Sequence, residues 1–111
     1  MERIVFVYTT FPSLVEAEQV GRSIVADRLA VCVNILPGMI SHYRWRDEVE
    51  RAEEAVMIVK TRASLAEDAC AAIKARHSYE TPAIVVLPVE SVERGYLAWL
   101  IGATAGNPAP P

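Results

Sequence analysis

The chain has 111 residues, a formal charge of −3 and a 52% share of hydrophobic residues, with a mean hydropathy of +0.21. That length reads as one domain, which buries about 65% of the surface its unfolded chain exposes. The negative charge gives no electrostatic reason for a nucleic-acid partner, and no segment approaches the apolar length of a membrane span. So large an apolar supply either fills one dense core or also feeds an interface. Cys32 and Cys70 lie in apolar settings with no CxxC or Cys/His ligand spacing, and read as free thiols of a reducing compartment. The opening MERIVFVYTT has an acidic residue at once and too short an apolar run for a signal peptide, so a cytoplasmic location is expected.

Ile4–Val7, extended by Tyr8-Thr9-Thr10, is β-branched and aromatic and predicts a first strand that Pro12-Ser13 stops. Ser13-Leu-Val-Glu16 has the form of a capping box, and Leu14, Ala17, Val20, Gly21, Ile24 and Val25 keep helical spacing to about Asp27 or Arg28. Val31–Leu36 predicts a second strand, continued past a bend at Pro37-Gly38 through Tyr43 and Trp45. Asp47-Glu48 is the expected hairpin tip, without glycine. A long third strand follows, charged over Glu50–Glu54 and apolar over Ala55–Val59. Ser64-Leu-Ala-Glu67 repeats the capping-box form before a second helix carrying Leu65, Ala69, Ala72 and Ile73 on one side. Ala83–Val89 predicts a fourth strand, and Ser91 is the expected cap of a third helix over Val92–Ile101, ended by Gly102. Residues 1–102 then form the domain, and the proline-rich remainder, 103–111, is expected to be a disordered tail.

A shift of 51 positions, from Ser13 to Ser64, brings Thr10 onto Thr61, Glu16 onto Glu67 and Leu36-Pro37 onto Leu87-Pro88. Two β-α-β units in succession predict an α+β, ferredoxin-like split βαβ fold with an extended β2–β3 hairpin and a C-terminal helix. Right-handed crossovers put both crossover helices on one face of the sheet. The unbroken apolar runs of strands 1, 3 and 4 nevertheless call for cover on both faces, and a third short helix is too small to supply it. A partner copy is expected there.

Five segments carry a family resemblance: Arg28-Leu-Ala-Val-Cys-Val-Asn-Ile35 with Pro37, Ser41-His-Tyr-Arg-Trp45, Ile58-Val-Lys-Thr61, His77-Ser-Tyr-Glu-Thr-Pro82 and Tyr96-Leu-Ala-Trp99. In these the sequence resembles the CutA family of divalent-cation tolerance proteins. The resemblance implies a compact homotrimer and a function in tolerance or homeostasis of divalent metal ions such as copper. It also implies a likeness to PII-type signal proteins, which carry small ligands between subunits. The chain departs from the family pattern at Ser78, Ala83 and Asp47. It carries Thr9 and Arg76-His77 where copper-binding members offer a cysteine and paired histidines.

The candidate ligand cleft on this reading combines Lys60, His77, Tyr79 and Glu80 with Trp45 from a neighbouring subunit, with His77 and Glu80 as candidate metal ligands. Lys60-Thr61 before a capped helix suits a small anionic ligand. The plain alternatives are that Arg76 and His77 complement helix carbonyls, that His42, Trp45 and Trp99 are interface residues, and that Lys60 neutralises a carboxylate. No cofactor is expected to be obligatory, with Cu²⁺ or another divalent cation as the candidate ion. No Ser-His-Asp order, phosphate-cradling glycine loop or HExxH is present, so the expectation is a binding protein and not an enzyme. A PII-like small-ligand signalling trimer, or a purely structural trimeric assembly module without a metal site, is the alternative.

Overall fold

A computed structural model describes residues 2–106. The order is β1 (Ile4–Phe11), α1 (Leu14–Ala26), β2 (Cys32–Trp45), β3 (Glu48–Arg62), α2 (Ala66–Arg76), β4 (Ile84–Pro88) and α3 (Arg94–Thr104). The sheet runs β2-β3-β1-β4 with every neighbouring pair antiparallel. This is the expected ferredoxin-like arrangement. Strands β2 and β3 continue together well beyond β1 and form an arm that draws the molecule out to 45 × 26 × 22 Å.

Side-chain alternation sorts the sheet into two faces. Val7, Phe11, Ala55, Met57 and Val59 point to the face covered by α1 and α2, where they meet Ala17, Val20, Ile24 and Ile73. On the opposite face α3 covers one end only, with Leu100 packed against Ile4 and Val31, and Phe6, Cys32 and Tyr96 beside them. The rest of that face stays open: Leu36 and Val85 are 55% and 47% exposed. The third helix is therefore too small to close the second face, as the strand patterns imply.

One residue reverses the parity of the arm. Leu36 pairs with Val56 and Met39 with Glu54, so Pro37-Gly38 adds one residue to β2 opposite Ala55. Gly38 takes φ +76°, which a residue with a side chain adopts at a cost. Beyond this bulge the odd-numbered residues of β2, Tyr43 and Trp45 among them, point to the open face. The arm turns at Arg46-Asp47, one residue before the expected Asp47-Glu48. Both turn residues have positive φ, +50° and +67°, as a two-residue hairpin matching strand twist requires.

Three helix ends differ from expectation. Ser13 does cap α1, its Oγ accepting from the Glu16 amide at 3.2 Å, but the Glu16 carboxylate does not turn back to close the box. Ser64 caps nothing: Ala63–Leu65 form a 3-10 turn, and Ser64 gives both its amide and its hydroxyl to Glu2 Oε1. Glu93, not Ser91, caps α3, accepting from the amides of Gly95 and Tyr96. Those two bonds hold its carboxyl below the usual carboxylate range. Helix α3 also runs through Gly102 to Thr104, whose buried hydroxyl donates to the Leu100 carbonyl. The expected boundary at 102 and tail from 103 are corrected to that extent, and residues 107–111 lie outside the described residues.

Two glycines give a matched test of packing. A methyl group at Gly21, buried where α1 meets the sheet, would lie 2.8 Å from Val33 Cγ2 and 3.0 Å from Met57 Sδ. Gly102, also helical, has nothing within 4 Å of such a methyl. Alanine gains about 1 kcal/mol over glycine in a helix, and overpacking costs about 1–3 kcal/mol. Urea unfolding at fixed protein concentration should therefore show Gly102→Ala stabilising by about 0.5–1 kcal/mol. Gly21→Ala should destabilise despite its better helix propensity.

Candidate functional site

The β1–β4 ladder ends at the Thr9–Ile84 pair, and the chain that joins α2 to β4 fills the space beyond it. His77 follows α2 as its C-cap, with its side chain fully buried and its ring stacked on Phe11 at 4.3 Å. The Tyr79 amide donates to His77 Nδ1 at 3.1 Å, so Nδ1 accepts and the ring proton resides on Nε2. That nitrogen lies 2.6 Å from the Thr10 carbonyl, to which it donates. Glu16, free of the capping box, accepts from the Ser78 amide at 3.0 Å and lies 3.7 Å from His77 Nδ1. Every polar atom of the imidazole is thus committed to holding this connection onto the end of β1.

Tyr79, fixed by that brace, crosses to β3 and donates from its hydroxyl to Glu54 Oε2 at 2.8 Å. Burial first, then the Glu54 hydrogen bond and charge, push the Tyr79 phenol up to about 12. The phenol is therefore a neutral donor throughout the physiological range.

Behind this tie lies an open cleft of about 650 Å³. Tyr8 and Thr10 of β1 contribute to its lining, Tyr43 and Trp45 come from the arm, and Tyr79 and Glu80 from the braced connection. Glu54 contributes a second carboxylate, and His42 and Ser41 add polar groups along β2. Among the described residues, no lysine or arginine lines the cleft.

Of the expected cleft residues, Tyr79 and Glu80 line this cleft, and the Trp45 beside them is the chain's own and not a neighbour's. His77 does not line the cleft; it braces the wall from behind. A metal ion at either ring nitrogen would have to displace a hydrogen bond from a buried site, and among the described residues no three His, Cys, Asp or Glu groups gather as a metal would need. Lys60 is elsewhere. It lies on the same face but six residues along β3 from Glu54, about 20 Å at strand rise, with its ammonium 5.5 and 5.8 Å from the rings of Phe6 and Tyr96. Among the described residues no carboxylate forms an ion pair with it, and it does not line the cleft. Trp99 also lies away from the lining, tilted against Tyr96.

Tyr8, Tyr43 and Glu54 are cleft residues that sequence reasoning missed. The signal was strand parity. Once the bulge is placed, Tyr43 falls on the face of Tyr8, and Glu54 falls two residues from Val56, the partner of Thr10.

Two outcomes follow from the brace. His77→Ala leaves the Thr10 carbonyl and the Tyr79 amide without their partner and opens a cavity against Phe11. It should cost about 2–4 kcal/mol in urea unfolding at fixed protein concentration. Tyr79 is an acid whose folded pKa is raised, so its contribution to stability is whole below the ordinary value of 10 and is lost as pH climbs through about 12. A phenolate absorbance titration should show a component with midpoint near 12 that Tyr79→Phe removes.

A family model described as "CutA1 divalent ion tolerance protein" matches residues 5–103. Protein CutA, chloroplastic, of Arabidopsis thaliana is 38% identical over 100 residues, covering 90% of this chain and 55% of the relative. The chain thus spans about half the length of the plant relatives it matches. The divalent-cation tolerance protein CutA of Thermus thermophilus is 41% identical over 100 residues, covering 90% of this chain and 95% of the relative. Among solved structures, CutA1 of Ehrlichia chaffeensis superposes with a TM-score of 0.91 at 31% identity, covering 95% of this chain and 98% of that one. With its ferredoxin-like sheet, its long arm and the 77–82 connection all in place, the chain belongs to the CutA1 divalent ion tolerance family.

Proposed function

We propose that this protein acts in divalent-cation tolerance as a cytoplasmic homotrimer that binds ions weakly where subunits meet, without a catalytic step or an obligatory cofactor. The family match across residues 5–103 carries this reading. The half-covered sheet supports the assembly. Leu36, Val85 and Leu87 on the open face, with Tyr43 and Trp45 on the arm, are exposed large hydrophobic side chains of the kind that a partner surface covers. A 45 Å molecule whose arm projects past its own core is shaped to lay that arm on a neighbour. In divalent-ion binding, Glu80 is the cleft residue this reading retains, and other ligands come from a second subunit. His77 is withdrawn as a ligand because its nitrogens are spent. The small anionic ligand is withdrawn because the described lining residues include Glu54 and Glu80 and no lysine or arginine.

Sedimentation equilibrium at micromolar concentration should give three times the chain mass, and a stable monomer would remove the assembly. Calorimetry with Cu²⁺ should give weak binding that Glu80→Gln weakens several-fold and His77→Gln leaves in place. Absence of Cu²⁺ binding by the wild type, or its loss in His77→Gln alone, would overturn the ion site.

A further inference from the structure

We propose that His77 is an acid-operated catch. A proton taken up at Nδ1 turns that nitrogen from acceptor to donor, expels the Tyr79 amide and frees the connection between α2 and β4, while Nε2 stays on the end of β1. The device lies within one chain, against Phe11 on the side of the sheet that α1 and α2 cover. It rests on neither the ion-binding reading nor the assembly.

The two ring nitrogens differ in what a proton does to them. Nε2 donates to the Thr10 carbonyl at 2.6 Å, which a neutral and a charged imidazole both can do. Nδ1 accepts from the Tyr79 amide at 3.1 Å, which only a neutral imidazole can do. Protonation at Nδ1 sets two N–H donors against each other across that short distance. The side chain is fully buried, so the new donor needs a protein acceptor, and Glu16 Oε2 lies 3.7 Å away. That oxygen already accepts from the Ser78 amide at 3.0 Å, so its approach to the ring draws on the other bond that holds the connection. The stack on Phe11, with 4.3 Å between centroids and 12° between planes, also suits the charged form, because an aromatic face attracts a cation. The tethers of residues 78 and 79 thus answer to one proton, and the tether to β1 does not.

The groups around the ring keep the event local. From α1 the Glu16 carboxylate faces it. From β1 come the Thr10 carbonyl and the Phe11 ring. On α2, Arg76 is next in the chain but reaches Asp27 at 3.4 Å, and Lys74 meets His77 through its backbone carbonyl. The Tyr79 ring lies 5.0 Å from the imidazole, and its hydroxyl bonds to Glu54 of β3. That phenol is pushed up to about 12, so it stays a neutral donor where imidazoles ordinarily change charge, between about pH 5 and 8. Release of the Tyr79 amide removes the support that aims the phenol at Glu54. One proton on a buried ring is thereby passed on to β3 as a broken tie, a local change of charge biasing a segment with two arrangements.

The test is nuclear magnetic resonance of the isotope-labelled full chain in its native association state, with EDTA present. A His42→Asn background leaves His77 as the one imidazole. At neutral pH the ring proton should be found on Nε2. On acidification within the folded range the ring should become doubly protonated, and in the same step the Ser78 and Tyr79 amides should lose hydrogen-exchange protection by about tenfold or more. Amides of the β1–β3 ladder should keep theirs. Glu16→Gln leaves an acceptor for the Ser78 amide but removes the charge that favours the imidazolium, and should move the step to lower pH. His77→Gln should abolish it. A proton on Nδ1 at neutral pH, ring protonation with Tyr79 protection unchanged, a step that Glu16→Gln does not move or that survives His77→Gln, or global unfolding before the ring is protonated would each overturn the proposal.

Discussion

The extra residue that Pro37-Gly38 inserts into β2 lies opposite Ala55, and its effect reaches to the end of the arm. Before it, even-numbered side chains of β2 share the open face with Ile58 and Val56. After it, odd-numbered ones do, and Tyr43 and Trp45 stand over Glu50 and Glu48 on the side of Tyr8 and Thr10. Remove that residue and every side chain beyond the bend changes face, because strand side chains alternate with a period of two. The aromatic wall of the cleft would then point away from the cleft. A positive φ at Gly38 is the local cost of this arrangement.

The second constraint is the histidine brace. A strand whose partner stops short leaves backbone groups that need hydrogen bonds, and a buried carbonyl left without one costs about 1–3 kcal/mol. Here the imidazole answers that need for Thr10 while accepting from Tyr79, so one side chain closes the sheet edge and aims the tyrosine at Glu54. Glu16 completes the turn from the other side through the Ser78 amide. The ferredoxin-like core, the brace and the cleft are therefore consecutive layers of one hydrogen-bonded structure.

Much of this was legible in the sequence because it rests on local pattern. The four strands, the α1 stripe, the Ser13 cap and the bend at Pro37-Gly38 all follow from residue type and spacing. What was not legible depends on distant partners. Ser64 has the same motif as Ser13 but meets Glu2, which no window around Ser64 contains. Lys60 seemed to belong with His77 because both adjoin the helix-2 unit, yet strand rise carries it far along the sheet to the rings under α3. His77 looked like a ligand because an isolated histidine beside an acidic residue does so on paper. Its two nitrogens are accounted for only when Thr10, far back in the chain, is brought beside it.

The same chemistry explains why the family motif around His77 need not be a metal motif in this chain. Where a second histidine or a cysteine stands nearby, a metal can recruit them together and offset the loss of hydrogen bonds. Here Arg76 instead reaches Asp27, the C-cap of α1, at 3.4 Å, and Thr9 is buried under the helices. The residues that remain toward solvent are a different set: two carboxylates and four rings gathered around an open volume. Structural burden and recognition are thus divided between the two sides of one short segment. His77 turns inward and holds the fold, while Tyr79 and Glu80 turn toward the cleft and set its charge and shape.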